Sequence, residues 1–309
     1  MGVPIASGLP DYGPAGTINF LPELYSGKLV EKFYKTTCFG EIASTDYEGE
    51  IAGYGAQVKI RTIPDVTVSD YVIGAGLGAQ YPTSNSVTLA IDQAKSFNVA
   101  LSTVDMRQAD VDMADIFAND GSIQLRIAAD ADMLQTIPPD VSADNQGTTA
   151  GADSNDINLG DSTTPRSLAS TSVVDFLVDC GTVLDEQNVP DEGRWVVLPP
   201  WAVALFKKSD LRIASLAGDS VSILRNGKVG EVDRFTIYQS RNLLTQSSPG
   251  PATYVMFGHS AGLTFASQIV ECEMINNPND FDYVIRGLMV FGYEVIGPKY
   301  VGAAVVRKA

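Results

Sequence analysis

The sequence predicts an α+β fold in which extended segments, one long helix and a strand-rich C-terminal half share a single chain. Three observations point there. Period-two alternation of apolar and polar residues begins at Gln57 and returns through Val87, Leu89 and Ile91 and through Phe97, Val99 and Leu101, the mark of half-buried strands. A mostly helical span covers 103–137 and ends at Pro138-Pro139. Strand signals then dominate from Phe235 to Ile296.

The first element is neither helix nor tail. Residues 1–22 hold Pro4, Gly8, Pro10, Gly13, Pro14, Gly16 and Pro22 among Ile5, Leu9, Ile18 and Phe20. Proline excludes a helix, and the apolar content is too high for a solvated coil, so an extended arm packing on something else is expected. Helix signals follow from Glu23 and weaken beyond Tyr34. Val58, Ile60 and Thr62 then alternate with Lys59, Arg61 and Ile63, and a Pro/Gly-rich stretch from Pro64 to Ser84 separates this strand from the next. Two strands joined by so long a tip make a projecting hairpin. Tyr71, Val72, Ile73, Leu77 and Tyr81 in that tip have no partner in an isolated hairpin and read as a docking surface.

In the helical span Asp105, Asp110, Asp112, Asp115 and Asp120 make an acidic first half without the D-x-D-x-D-G order of a calcium loop, so a solvated face is expected and no metal site. Gly121 permits a break there, with Ser122 as a fresh N-cap, before Ile123, Ile127, Ala131 and Leu134 recur at helical spacing. The polar stretch Asp140–Arg166 reads as a flexible surface loop. Thr171 or Ser172 then caps a helix with the apolar stripe Val173, Leu177, Cys180 and Leu184. Trp195–Leu198 forms a short buried strand, and Pro199-Pro200 opens the next helix.

Composition narrows the function. The formal charge is 21 − 37 = −16 over 309 residues, which argues against gripping DNA or RNA, since that affinity comes from neutralised phosphates. No apolar run has the length of a bilayer span, and no basic-then-apolar leader opens the chain, so the sequence predicts no membrane segment and no cleaved export signal. Cys38, Cys180 and Cys272 are odd in number and far apart, as expected of buried thiols in a reducing compartment rather than of zinc ligands.

Two motifs imitate chemistry. Gly258-His259-Ser260-Ala261-Gly262 matches the G-x-S-x-G elbow of serine hydrolases. Its base must be a histidine later in the chain, yet His259 is the only histidine, and Lys299 and Lys308 have no partner motif. Leu263-Thr264-Phe265 favours a strand where the elbow needs a helix. Gly74-Ala75-Gly76-Leu77-Gly78-Ala79 matches the dinucleotide fingerprint, with Asp92 beyond it, but Gln80-Tyr81-Pro82-Thr83 cannot open the helix that would face a pyrophosphate. The sequence thus predicts no catalytic residues and no cofactor, with a hydrolase on Ser260 as the competing reading.

Four pieces of the C-terminal half occur in an order that resembles the major capsid proteins of tailed double-stranded DNA bacteriophages. They are Leu184-Asp185-Glu186-Gln187-Asn188-Val189-Pro190 followed by Arg194-Trp195-Val196-Val197-Leu198-Pro199-Pro200; Gly227-Lys228-Val229-Gly230-Glu231-Val232-Asp233-Arg234-Phe235 leading to Tyr238-Gln239-Ser240-Arg241-Asn242-Leu243; Gly258-His259-Ser260-Ala261-Gly262-Leu263-Thr264-Phe265-Ala266; and Asp282-Tyr283-Val284-Ile285-Arg286-Gly287-Leu288-Met289-Val290-Phe291-Gly292-Tyr293. Arm, hairpin and long helix extend the similarity over nearly the whole chain.

The resemblance implies a Hong Kong 97-type fold with an N-terminal arm (1–40), an extended hairpin loop region (41–101), a peripheral domain with spine helix and surface loop (102–167), an axial domain (168–265) and C-terminal strands returning to the peripheral domain (266–309). It implies self-assembly into pentamers and hexamers of an icosahedral head that encloses DNA without reading its sequence. Ile18, Phe20, Tyr71, Val72, Ile73, Leu77 and Tyr81 are the candidate intersubunit contacts. A separate scaffolding protein, a portal and a cement protein are the expected partners, with assembly in the bacterial host cytoplasm and residence in the virion. No lysine lies between Pro64 and Ser84, so the covalent crosslinking of some relatives is not expected. An encapsulin-like cage would share the fold.

Overall fold

The computed structural model describes residues 35, 37–46, 57–64, 66–68, 70, 73–74, 79–83, 86–103, 113–209, 230–248, 250–277 and 282–309. The expected arm with Ile18 and Phe20, the helix signals after Glu23, Tyr71, Val72, Leu77, Asp105, Asp110 and Asp112 lie outside them. In chain order the elements are α1 (Phe39–Ile42), β1 (Gln57–Arg61), β2 (Ser86–Ala90), β3 (Gln93–Ser102), α2 (Met113–Thr136), β4 (Arg166–Leu168), α3 (Val173–Glu186), β5 (Arg194–Leu198), α4 (Pro200–Lys208), β6 (Glu231–Val232), β7 (Phe235–Gln239), β8 (Thr245–Gln246), β9 (Ala252–His259), β10 (Leu263–Asn276), β11 (Asp282–Val295) and β12 (Val301–Lys308).

The period-two segments pair as expected. β1 and β2 form an antiparallel hairpin from Gln57↔Ala90 to Arg61↔Ser86. β3 leaves the hairpin and joins β11, which pairs with β10 in a three-stranded antiparallel sheet. Ile60, Leu89 and Ile91 fix the hairpin root on that sheet, against Ala266 and Val290. At Gly292 a Cβ would run into the backbone of Ala90 and Ile91. Backbone cannot swing aside as a side chain can, so Gly292→Ala is expected to lift the hairpin root and cost about 1–3 kcal/mol, read as a lower denaturant midpoint.

The other face of this sheet carries α2. Leu125, Ala129 and Met133 of the helix meet Met289, Phe291 and Phe265 of the strands. The helix runs unbroken through Gly121, contrary to the expected kink, and Ser122 donates its hydroxyl to the Ala118 carbonyl at 2.8 Å instead of capping a new helix. Packing explains the glycine: a Cβ at Gly121, or at Gly287 across from it, would strike the Phe97 ring. The buried stripe is Leu125, Ile127, Ala129, Met133 and Leu134, so Ile123 and Ala131 stand only half inside.

The second sheet has seven strands in the order β4-β12-β9-β5-β7-β6, with β8 paired on β9. One face is covered by α3 and α4 through Phe176, Leu177, Cys180, Leu184, Val203 and Phe206. The opposite face presents Trp195, Val197, Met256 and Ala303 to α2 and to the first sheet, so one core spans both sheets. Cover on both faces is why β5 reads as an uninterrupted apolar run.

Three expectations are corrected. Of the stretch 266–309, β10 and β11 do lie on β3 beside α2, but β12 runs inside the seven-stranded sheet between β4 and β9. Its six buried residues Val301–Val306 demand cover on two faces, which only that sheet supplies. Residues 152–156 and 162–164 of the polar segment Asp140–Arg166 are exposed, as a surface loop should be, but the segment is pinned to the body: Asn145, Ala150 and Leu159 are fully buried. Asn145 donates to the carbonyls of Lys299 (2.8 Å) and Val301 (3.0 Å), Val305 donates to the Leu159 carbonyl, and Glu186 accepts the amides of Asp153 and Ser154. Side-chain and backbone hydrogen bonds do here what apolar periodicity does elsewhere. Cys38 and Cys180 are buried, whereas Cys272 is exposed because β10 is the sheet's edge strand among those described.

Candidate functional site

The elbow-like pentapeptide is a connection between strands. β9 ends at His259, Ser260–Gly262 make one 3₁₀ turn, and β10 begins at Leu263. The His259 ring turns back on its own backbone, where Nδ1 accepts the Ala261 amide at 3.1 Å. Among the described residues no hydrogen bond joins the Ser260 hydroxyl to His259 or to a lysine. The glycine-rich fingerprint fares likewise, since the strand Ser86–Ala90 follows it where a helix is needed. Among the described residues no three His, Cys, Asp or Glu side chains gather as metal ligands do.

What the fold does expose is the hairpin tip. Ile63, Val68, Ile73 and Tyr81 are 94%, 93%, 89% and 89% exposed, and Val66 is 70% exposed. Isolated surface leucines and valines need no explanation, but five large apolar side chains on one loop do. The loop is also tied across its width. Gln80 accepts the Thr67 amide at 3.1 Å and donates to the Thr67 carbonyl at 2.6 Å. Between Thr62 and Ala94 the charged residues are Asp65, Asp70 and Asp92 alone, so this surface is apolar and acidic. Ile73 and Tyr81 were legible as tip residues. Ile63, Val66 and Val68 were missed because Ile63 reads as a continuation of β1 and the two valines sit among Thr and Asp; three β-branched residues around Pro64 were the available signal.

The sheet that carries the hairpin root continues as an open face. Ala94, Ser96, Asn98 and Ala100 of β3 point away from α2 and are exposed, beside Arg286 and Leu288 of β11. A shallow cleft of about 350 Å³ runs there between Ser96, Asn98, Glu271, Glu273, Arg286 and Leu288. Glu273 pairs with Arg286 across β10 and β11.

The first two pieces that carry the sequence resemblance meet in one charge cluster, built on a buried arginine. Arg194 is 1% exposed. Its guanidinium donates to the carbonyls of Pro190 (2.8 Å) and Val189 (2.6 Å), to Asp185 (2.7 Å) and, more weakly, to Gly181 (3.4 Å), and lies 3.0 Å from Asp191. Arg234 reaches the same carboxylates at 3.0 Å and 2.6 Å from the β6–β7 turn. Asp233 and Arg234 hold φ of 47° and 67° there, the type I′ turn that glycine and asparagine favour. The two-residue spacing and the ion pairs hold this otherwise costly turn.

Burial opposes ionisation of Asp185, but the hydrogen bonds and charges of Arg234 and Arg194 outweigh it and hold the carboxyl below the usual range. A carboxyl depressed in the fold stabilises above its unfolded pKa, and that contribution disappears as pH falls through the lower folded value. Asp185→Asn is therefore expected to flatten the loss of thermal stability below about pH 4, while lowering stability at neutral pH.

No family model and no curated protein matches the chain. Solved structures do. A structure from Mycobacterium phage Che8 is 26% identical with a TM-score of 0.76, covering 92% of this chain and 97% of that one. The capsid structure of the cyanophage P-SCSP1u is 16% identical with a TM-score of 0.71, covering 94% of each chain. The asymmetric unit of the bacteriophage PhiM1 mature capsid is 14% identical with a TM-score of 0.62, covering 94% and 93%. The matches cover more than nine-tenths of this chain, which has the Hong Kong 97-type fold of phage capsid structures.

Proposed function

We propose that this chain is the major capsid protein of a tailed phage, assembling as pentamers and hexamers into the icosahedral head that encloses the genome. The observation that carries this reading is the hairpin tip: a chain with this fold places five large apolar side chains in solvent on one braced loop. Permanent interfaces commonly bury about 2,000–5,000 Å², and overlapping loops supply such areas where flat subunit edges do not. The open face of β3 and β11 is the surface for that tip in a second copy, because its small exposed side chains Ala94, Ser96, Asn98 and Ala100 leave room for large apolar ones. Ile18, Phe20, Tyr71, Val72 and Leu77 would extend the same contact.

The divisions 1–40, 41–101, 102–167, 168–265 and 266–309 serve in this reading as arm, hairpin, peripheral, axial and returning segments, with β12 belonging to the axial sheet. A scaffolding protein, a portal and a cement protein are the further partners, with assembly in the host cytoplasm. The chain acts by burying surface and not by catalysis; a fluorophosphonate probe is expected to leave Ser260 unlabelled, and labelling abolished by Ser260→Ala would restore the hydrolase. The charge of −16 keeps the wall from holding packaged DNA.

Size-exclusion chromatography with negative-stain microscopy tests the reading. Closed shells tens of nanometres across are expected, from the chain alone or co-produced with its scaffolding protein. A monomer under both conditions overturns it.

A further inference from the structure

Outside the Arg194 cluster, α2 carries a buried titratable group, Asp130. Its side chain is fully buried, and among the described residues no ion pair reaches it. Instead Oδ1 accepts the backbone amides of Cys38 (2.8 Å) and Phe39 (3.0 Å), with the Cys38 thiol at 3.5 Å, and Oδ2 accepts the Asn242 side-chain amide at 2.6 Å. Every one of these partners is a donor, which suits an acceptor-only carboxylate and nothing else of that size. Burial, reinforced by the neighbouring carboxylate, pushes the Cys38 thiol up, so it stays protonated as a donor.

The three partners belong to two other parts of the molecule. Cys38 and Phe39 begin a strap whose other end is stitched to β10. Ser44 donates to the Leu263 carbonyl at 2.8 Å and accepts the Phe265 amide at 3.0 Å and the Thr264 hydroxyl at 3.2 Å. Ile42 and Ala43 are buried between, and the Phe39 and Phe265 rings lie 4.7 Å apart. Asn242 lies in the loop after β7, where its backbone amide donates to the Ser240 hydroxyl and Ser240 donates to the Leu198 carbonyl. Gln135, on α2 as well, donates to the Asn242 carbonyl at 3.1 Å. One carboxylate thus joins the spine helix, the seven-stranded sheet and the strap 38–44. An apolar side chain would strand three donors, and asparagine would turn its own amide on some of them.

We propose that Asp130 is a positioning residue: it seats the strap 38–44 between α2 and the seven-stranded sheet, and the strap's protection depends on its carboxylate. This anchoring does not rest on the capsid reading.

Hydrogen exchange on the unassembled full-length chain tests it. In Asp130→Asn the amides of 38–44 are expected to exchange about tenfold to a hundredfold faster, the range for a lost hydrogen bond to a charged group, while β9 and β12 keep wild-type protection. A strap as protected as in the wild type overturns the proposal. Should protection in β9 and β12 also collapse, Asn242→Ala decides, because it removes only the Oδ2 partner. The proposal then requires a protected strap in a folded body, and a strap that opens overturns it. Absence of shells would count against the capsid reading and leave these exchange results untouched.

Discussion

Arg194→Ala is expected to destabilise the chain by about 3–5 kcal/mol, because it empties enclosed volume and strands the carbonyls that the guanidinium serves. The side chain is fully enclosed, and its loss leaves the carbonyls of Val189 and Pro190 without a donor and Asp185 with Arg234 alone. The effect exceeds that of a cavity of the same volume, because desolvated acceptors are left behind. Lysine does not rescue it: one ammonium cannot meet acceptors placed around a planar fork. Urea unfolding of the two variants checks this. A midpoint shift equivalent to less than about 1 kcal/mol would place the cluster with solvent-screened surface pairs.

The second large effect is on assembly and spares the fold. Replacing Ile63, Val68 and Ile73 together with aspartate is expected to abolish shells while leaving the melting temperature nearly unchanged. These side chains are about nine-tenths exposed in the single chain, and surface changes of that kind usually move stability by about 0.5 kcal/mol or less. In a shell each would be covered, and burying one such side chain is worth about 1.5–3 kcal/mol. Every subunit repeats the loss, and the added carboxylates stand beside Asp65 and Asp70. Sedimentation and thermal melting on one preparation separate the two effects. A variant that melts well below the wild type would mean that the tip packs on its own chain.

The same two regions show what a sequence reveals. β5, β7, β9 and α3 were legible because burial writes itself as periodicity or as an apolar run. That the pentapeptide at Ser260 joins two strands was legible in Leu263-Thr264-Phe265, which favours a strand over the helix an elbow needs. The pinning of the surface segment Asp140–Arg166 was not legible, because it comes from Asn145, Glu186 and backbone pairing, none of which has a period. β12 was assigned to the wrong sheet because the choice between two sheets is made by topology. Cys272 looked buried because an edge strand has the same composition as a central one. The tip surface was half legible: aromatic and aliphatic residues in a Gly/Pro-rich stretch draw the eye to Ile73 and Tyr81, whereas Val66 and Val68 become conspicuous only once nothing covers them. Asp130 gave no signal at all, since one aspartate among several on a helix is ordinarily solvated.

The central claim is that this tip is an intersubunit contact of a closed shell, and a cryo-microscopy reconstruction of the assembled protein tests it most directly. The account predicts an icosahedral shell in which Ile63, Val68, Ile73 and Tyr81 of each subunit are covered by a neighbouring copy. A shell whose tips remain in solvent would contradict it.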